Sequence, residues 1–300
     1  MSYTISSDIA NLLRPGIDLI ISNYPRKDAA WTQYFETRQS DKNVEYVVEM
    51  KNPEKAVRKN EQDAVTTTNM YNLFQTSFFN ITYAIGAGIS WEAISDNLYK
   101  DQWPDISNSL AQSGDETKRT NAALILTNAF NGALQTLASG QPLGSTTQPT
   151  AVGETYSNTF SIATALNETS IEDALIAMQQ FIGANGFRYP ARGEALIVPP
   201  AQMFQAERTI NSKYTPMSAN NAISVIHGQF AKGVIVDNYL ANDSIWAVKS
   251  NIPGFIHYER DSGDVNANAD PQTFAIYITY RERYSFGVSN ARCTFVATAS

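Results

Sequence analysis

An α+β fold follows from three features of the sequence. Helical periodicities and strand-like runs are mixed along the chain without the regular alternation that a doubly wound sheet requires. From Val225 onward the texture turns to β, with GVIVDNYL, SIWAVKS, GFIHYER, TFAIYITYRERYSFGV and CTFVATA separated by Gly, Asn and Asp turns. Between the β-rich flanks VEYVV (44 to 48) and VTTTNMY (65 to 71), the sixteen residues EMKNPEKAVRKNEQDA (49 to 64) carry eight charges and read as the tip of a two-legged finger.

Taken in order, Ser6 or Ser7 caps a short helix with Ile9, Leu12 and Leu13 on one side, and Pro15-Gly16 breaks it before a second stretch through Ile21. This is an arm with an apolar stripe. The finger follows, its descending leg running into LFQTSFFNITYAIGAGI, where the glycines of AIGAGIS predict a bend at the base. Ser90 and Glu92 open a helical stretch, EAISDNLY. Pro104 restarts helix through about Ala111, and after Gly114 a further segment places Ala122, Leu126, Ala129 and Phe130 on one face, so a long broken spine is expected. Residues 139 to 158, rich in Gly, Pro, Ser and Thr, predict a linker or exposed loop. Ser170 and Asp173 form a capping-box-like pair opening IEDALIAMQQFIG, ALIVPP (195 to 200) is a short buried strand, and AQMFQAERTINS is another helix.

The 300 residues are 43% hydrophobic, 17% charged and 11% aromatic, the balance of a packed protein with a polar but weakly charged surface. A net charge of −7 offers no basic field for sequence-specific nucleic-acid binding. The single cysteine, Cys293, excludes an intramolecular disulfide and fits a reducing compartment. The N-terminus lacks a basic n-region, and no apolar run approaches the roughly 20 residues of a membrane span, so a cytoplasmic origin is expected.

Catalytic chemistry finds little support. His227 and His257 sit in no metal-ligand spacing and read as structural histidines, and Cys293 lies in a strand-like run. Glu168, Glu172 and Asp173 cluster at a helix start, where the helix dipole accounts for negative charge. DSGDVNANADP (261 to 271) offers Asp261, Asp264 and Asp270 as oxygen ligands, but without the bidentate Glu of an EF-hand it reads as a solvated hairpin loop. The finger tip balances four bases (Lys51, Lys55, Arg58, Lys59) against four acids (Glu49, Glu54, Glu61, Asp63), unlike a phosphate-binding loop. A projecting ribbon that buries nothing internally is ordered by another surface, and a second copy of the chain is the obvious candidate.

The order of these elements resembles tailed-phage major capsid proteins of the HK97 fold, particularly the Mu-like head-subunit branch. The arm, the charged finger, GAGISWEAISDNLY, AALILTNAFNG, LIVPPAQMFQAERTINS, GVIVDNYLANDSIWAVKSNIPGF and TYRERYSFGVSNAR carry the resemblance over nearly the whole chain. It implies an N-arm at 1–35, an extended β-hairpin E-loop at 36–75, a peripheral domain with a long spine helix at 76–138 and 254–300, and an axial domain at 139–253. It implies no enzyme, cofactor or metal. The implied function is self-assembly into hexamers and pentamers that close an icosahedral or prolate shell around packaged double-stranded DNA, in a virion assembled in the host cytoplasm. Intersubunit contacts are then expected from Lys51, Glu54, Lys55, Arg58, Lys59 and Glu61 in the E-loop, from Ile9, Leu12, Leu13 and Ile17 in the arm, and from Asp261, Asp264 and Asp270 in a peripheral loop. Portal, separate scaffolding and decoration proteins are the implied partners, with non-specific contact to the packaged DNA and none to a membrane.

Two departures stand out. SGQPLGSTTQP lacks the Phe and His that relatives in this branch often carry, and the chain starts at the arm without a scaffolding extension. Some relatives cross-link an E-loop lysine to an asparagine; Lys51, Lys55 and Lys59 with Asn266 and Asn268 would be the candidates here, against plain ionic contact. An encapsulin-like compartment is the alternative within the fold, a tail or baseplate protein another, and a hydrolase or metal enzyme lies outside it.

Overall fold

The computed structural model describes residues 29–50, 53, 55–67, 70, 72–90, 92, 103–150, 152–214, 223–270, 272–273 and 275–299. In chain order its strands are β1 (Glu36–Gln39), β2 (Val44–Met50), β3 (Asn72–Phe79), β4 (Ile81–Ile89), β5 (Gln148–Pro149), β6 (Thr155–Tyr156), β7 (Gly193–Val198), β8 (Val234–Val236), β9 (Ile245–Ser250), β10 (Phe255–Ala269), β11 (Ile276–Val288) and β12 (Thr294–Thr298). Its helices are α1 (Trp103–Thr127), α2 (Glu168–Gln179) and α3 (Met203–Asn211).

One four-stranded sheet runs β1-β10-β11-β4, with β1 parallel to β10 and the other pairs antiparallel. The second runs β12-β9-β7-β8, with β7 and β8 parallel and the other pairs antiparallel. Burial on both faces explains the unbroken apolar runs of the second sheet. Ala195, Ile197, Ile245, Ala247 and Val296 face a core shared with α1, Trp31, Tyr34 and Phe255. Their neighbours Leu196, Val198, Trp246, Val248, Phe295 and Ala297 face the opposite core, filled by Ile171, Ala174 and Met178 of α2 and Ala206 and Ile210 of α3. Trp246 is fully buried, and its indole N–H donates to the Thr164 carbonyl at 3.0 Å.

From Trp103 to Thr127 the spine is one continuous helix, without the break expected between Ala111 and the segment after Gly114, while residues 93–102, with most of EAISDNLY, lie outside the described residues. Its first half packs Leu110 and Ala111 on Ile89, Ile276, Ile278 and Tyr280 of the first sheet, while Ala122, Ala123, Ile125 and Leu126 reach the core of the second. Gly114 does not end it. A Cβ at Gly114 would lie 2.4 Å from Cε1 of Tyr280, so the glycine lets the helix backbone approach the sheet. Likewise β4 is straight through AIGAGI with no bend, and a Cβ at Gly88 would lie 2.8 Å from the ring of Tyr277 opposite it.

Much of the stretch expected as a linker or exposed loop packs into the body, at 143–145, 148, 150, 156 and 158, while 146–147 and 152–155 are exposed. Leu143 is fully buried, and Asn158, also fully buried, donates to the Leu143 carbonyl at 2.7 Å and to the Ala291 carbonyl at 3.2 Å. Gln148 donates to the carbonyls of Pro142 and Leu143, so side-chain amides satisfy the buried backbone where water would otherwise be needed. The capping box of α2 forms one turn earlier than expected, between Asn167 and Ser170. Residues 294–298, grouped by the sequence with 254–300, pair with β9 in the second sheet. The stretch 261–269 is strand in β10, so Asp261 and Asp264 lie within a hairpin leg and not in the loop expected there.

Candidate functional site

The finger grows from a polar knot. Asn80, buried between β3 and β4, donates to Ser40 Oγ at 2.9 Å and to the Lys42 carbonyl at 2.8 Å, and accepts from Ser285 Oγ at 2.9 Å. Arg283 donates to the Asn80 carbonyl at 3.1 Å and also bonds Asn43. From this root β2 and β3 pair antiparallel, from Val44↔Phe79 to Met50↔Asn72. Phe78 packs inward on Ile256 and Tyr258, whereas Tyr46, Val48 and Met50 alternate onto an outer face with 58%, 37% and 51% of their surfaces exposed. A single exposed apolar residue is ordinary, but a row of three at strand spacing is a candidate contact surface.

The strand pairing starts later on the descending side than expected: residues 65–67 are not strand, and β3 begins at Asn72. Residues 36–39, expected in the finger, belong to the first sheet through β1. Beyond β2 the described tip residues, including Lys55, Arg58, Lys59 and Glu61, are exposed. Asp63 closes a turn by accepting from the Asn60 N–H at 3.1 Å, with Gln62 at φ 74°. Lys51 and Glu54 lie outside the described residues, as do Ile9, Leu12, Leu13 and Ile17 of the arm. The ammonium of Lys55 stands 5.4 Å from the centre of the Phe187 ring, and the Asn185 amide donates to the Pro53 carbonyl at 3.3 Å. Glu49 is no tip charge, because its carboxylate lies 2.7 Å from Nη1 of Arg292.

The three aspartates do not converge. Asp264 pairs across the hairpin with Arg281 at 2.6 Å. Asp270 shapes the turn, accepting from the Gln272 N–H at 2.9 Å and the Thr273 hydroxyl at 2.7 Å, and these bonds lower its pKa. Asp261 is exposed, opposite Arg283. Among the described residues, no three His, Cys, Asp or Glu side chains are grouped to hold a metal ion.

Of the candidate catalytic groups, Cys293 and His257 are packing residues, while His227 is exposed. Cys293 is fully buried, and burial pushes its thiol up, away from thiolate chemistry. His257 is buried, stacks on Phe286 at 4.4 Å between ring centres and faces Thr37 Oγ1 at 3.3 Å. Burial, with the nearby Lys118 charge, pushes it down to about 4, so it is neutral at physiological pH. His227 contacts the Ile210 carbonyl at 3.3 Å. A buried ion cluster beneath the first sheet carries no signature in the sequence. Lys118 of α1 reaches Glu259 at 3.0 Å and Glu282 at 3.6 Å, under the Tyr284 ring at 5.0 Å. Burial would raise the Glu259 carboxyl, but the Lys118 ammonium outweighs it and holds the group below its ordinary value.

Two four-stranded sheets bridged by one long helix, with a β-ribbon rising from the Asn80 knot, form an HK97-like capsid fold. The chain is similar to the capsid of an empty GTA particle (TM-score 0.59, 14% identity, covering 92% of this chain and 91% of that one). It is similar also to a chain of Microbacterium phage Oxtober96 (TM-score 0.57, 9% identity, 92% and 91% covered) and to the virus-like particle of Pyrococcus furiosus (TM-score 0.55, 9% identity, 97% and 99% covered). No curated protein matches the sequence significantly. A family model described as phage capsid protein matches residues 76–297, and the chain belongs to that family. It is therefore a structural subunit of a capsid shell, and its place is in the virion.

Proposed function

We propose that the chain is the major head subunit of a tailed phage of the Mu-like branch, forming hexamers and pentamers that close an icosahedral or prolate shell around double-stranded DNA. The observation that carries this reading, beyond family membership, is the β2–β3 ribbon, with its exposed apolar row at Tyr46, Val48 and Met50 and exposed charges at its tip. The ribbon is the E-loop and lies over a neighbouring subunit, where Lys51, Glu54, Lys55, Arg58, Lys59 and Glu61 find partners. Ile9, Leu12, Leu13 and Ile17 of the arm and the β10–β11 hairpin with Asp261, Asp264 and Asp270 add further contacts. Residues 1–35, 36–75, 76–138 with 254–300, and 139–253 act as arm, E-loop, peripheral and axial parts, with β12 lending its edge to the last. Assembly takes place in host cytoplasm with portal, scaffolding and decoration proteins as partners, and contacts between subunits are ionic and apolar, not covalent.

Negative-stain microscopy of the chain produced together with its scaffolding protein tests the reading: closed shells are expected, and tubes, rings or monomers alone would overturn it. Shell contents separate this reading from an encapsulin-like compartment, DNA supporting the first and a protein cargo the second. A single band at monomer mass after boiling in detergent is expected, and a ladder would reveal cross-links.

A further inference from the structure

We infer that Arg292 is the positioning residue that fixes the direction in which the finger leaves the body, by clamping Glu49 of β2 to the second sheet and its adjoining loop. The inference rests on the reading that the finger works by reaching a neighbouring subunit. Arg292 stands in the short 3-10 turn before β12 and is 3% exposed. Its guanidinium uses several edges at once. Nε donates to the Ile182 carbonyl at 2.7 Å, Nη1 donates to Glu49 Oε1 at 2.7 Å and to Asn290 Oδ1 at 3.2 Å, and the guanidinium carbon lies 4.8 Å from the centre of the Tyr156 ring. The planar fork makes such simultaneous engagement possible, and lysine could not reproduce it.

Placement gives the clamp its consequence. Glu49 is next to last in β2, and the β2–β3 ladder shifts register between Val48 and Met50, so the ribbon is irregular where Arg292 grips it. Two further contacts continue along the same loop, from Asn185 to the Pro53 carbonyl and from Lys55 to Phe187, so residues 182–188 form a track under the finger. Both of those lie at the surface and are weak, whereas Glu49 pairs with a buried cation that meets no second carboxylate within ion-pair distance among the described residues. A two-stranded ribbon alone holds no fixed angle to its parent body. Anchored at the Asn80 knot and again at Arg292, it has two fixed points and one direction, which lowers the ordering cost when a neighbour receives it.

The test is hydrogen exchange on the unassembled full chain, with shell diameter read by microscopy, for E49Q and R292K. Both variants should speed exchange of the Val44–Met50 and Asn72–Phe79 amides by about tenfold while leaving the Ile245–Ser250 amides unchanged. Both should also yield fewer shells with a broader spread of diameters. Ribbon exchange equal to wild type, or equal acceleration of ribbon and second sheet, would overturn the role of Arg292. For a variant that does not fold, E49M/R292M, which removes both charges together, decides the same comparison. Failure of the wild-type chain to form shells would instead count against the proposed function, leaving the exchange result to judge the clamp.

Discussion

Gly114 poses opposite expectations for a single substitution. Helix propensity alone makes Ala better than Gly by about 1 kcal/mol at a mid-helix site. The Tyr280 ring, 2% exposed and bonded through its hydroxyl to Glu282, leaves no room for the added carbon. We expect G114A to destabilise the fold by about 1–3 kcal/mol, seen as a lower urea midpoint with an unchanged slope. Lys118 carries a second expectation: K118M leaves the buried Glu282 and the half-buried Glu259 without their shared cation and should cost about 3–5 kcal/mol by the same measurement. His257 sets a pH dependence. Its folded pKa is lowered from 6.5 to about 4, so the unfolded chain binds the proton first as pH falls. Its contribution is complete above pH 6.5 and is lost down to about pH 4, at up to about 1.4 kcal/mol per pH unit. H257F should flatten the slope of stability against pH across that window.

At the scale of elements, the finger separates assembly from folding. Lys55, Arg58 and Lys59 are exposed, and Lys55 meets the body at the Phe187 ring. Reversing the three to Glu should leave the thermal midpoint of the subunit within a degree or two, since surface charges contribute little to stability, yet lower the yield and thermal resistance of shells. Equal shell yield would remove the finger charges from the interface. The charged tip was legible in the sequence because it sits between β-rich flanks. Its root was not, because Asn80, Asn43, Ser40 and Ser285 are ordinary polar residues whose value lies in meeting across long stretches of chain. Glu49 shows the same limit, being one of eight charges in EMKNPEKAVRKNEQDA until Arg292, far along the chain, claims it.

At the scale of the whole molecule, a subunit with net charge −7 should not hold the genome tightly. Filter binding of a short duplex to the unassembled chain at physiological salt should detect no retention, and tight, salt-sensitive retention would contradict a shell that merely encloses DNA. The sequence by itself determined the α+β class, the apolar runs of the second sheet and the finger, because periodicity, composition and local charge are properties of neighbouring residues. Only the tertiary structure decided that α1 runs unbroken past Gly114, that Leu143, Gln148 and Asn158 pack inside, that Asp264 spends its charge on Arg281, and that Lys118 and Arg292 are buried cations. Each of those depends on a partner distant in sequence: a glycine reads as a break until a ring is found against it, and a charge reads as solvated until a carboxylate and a carbonyl close around it.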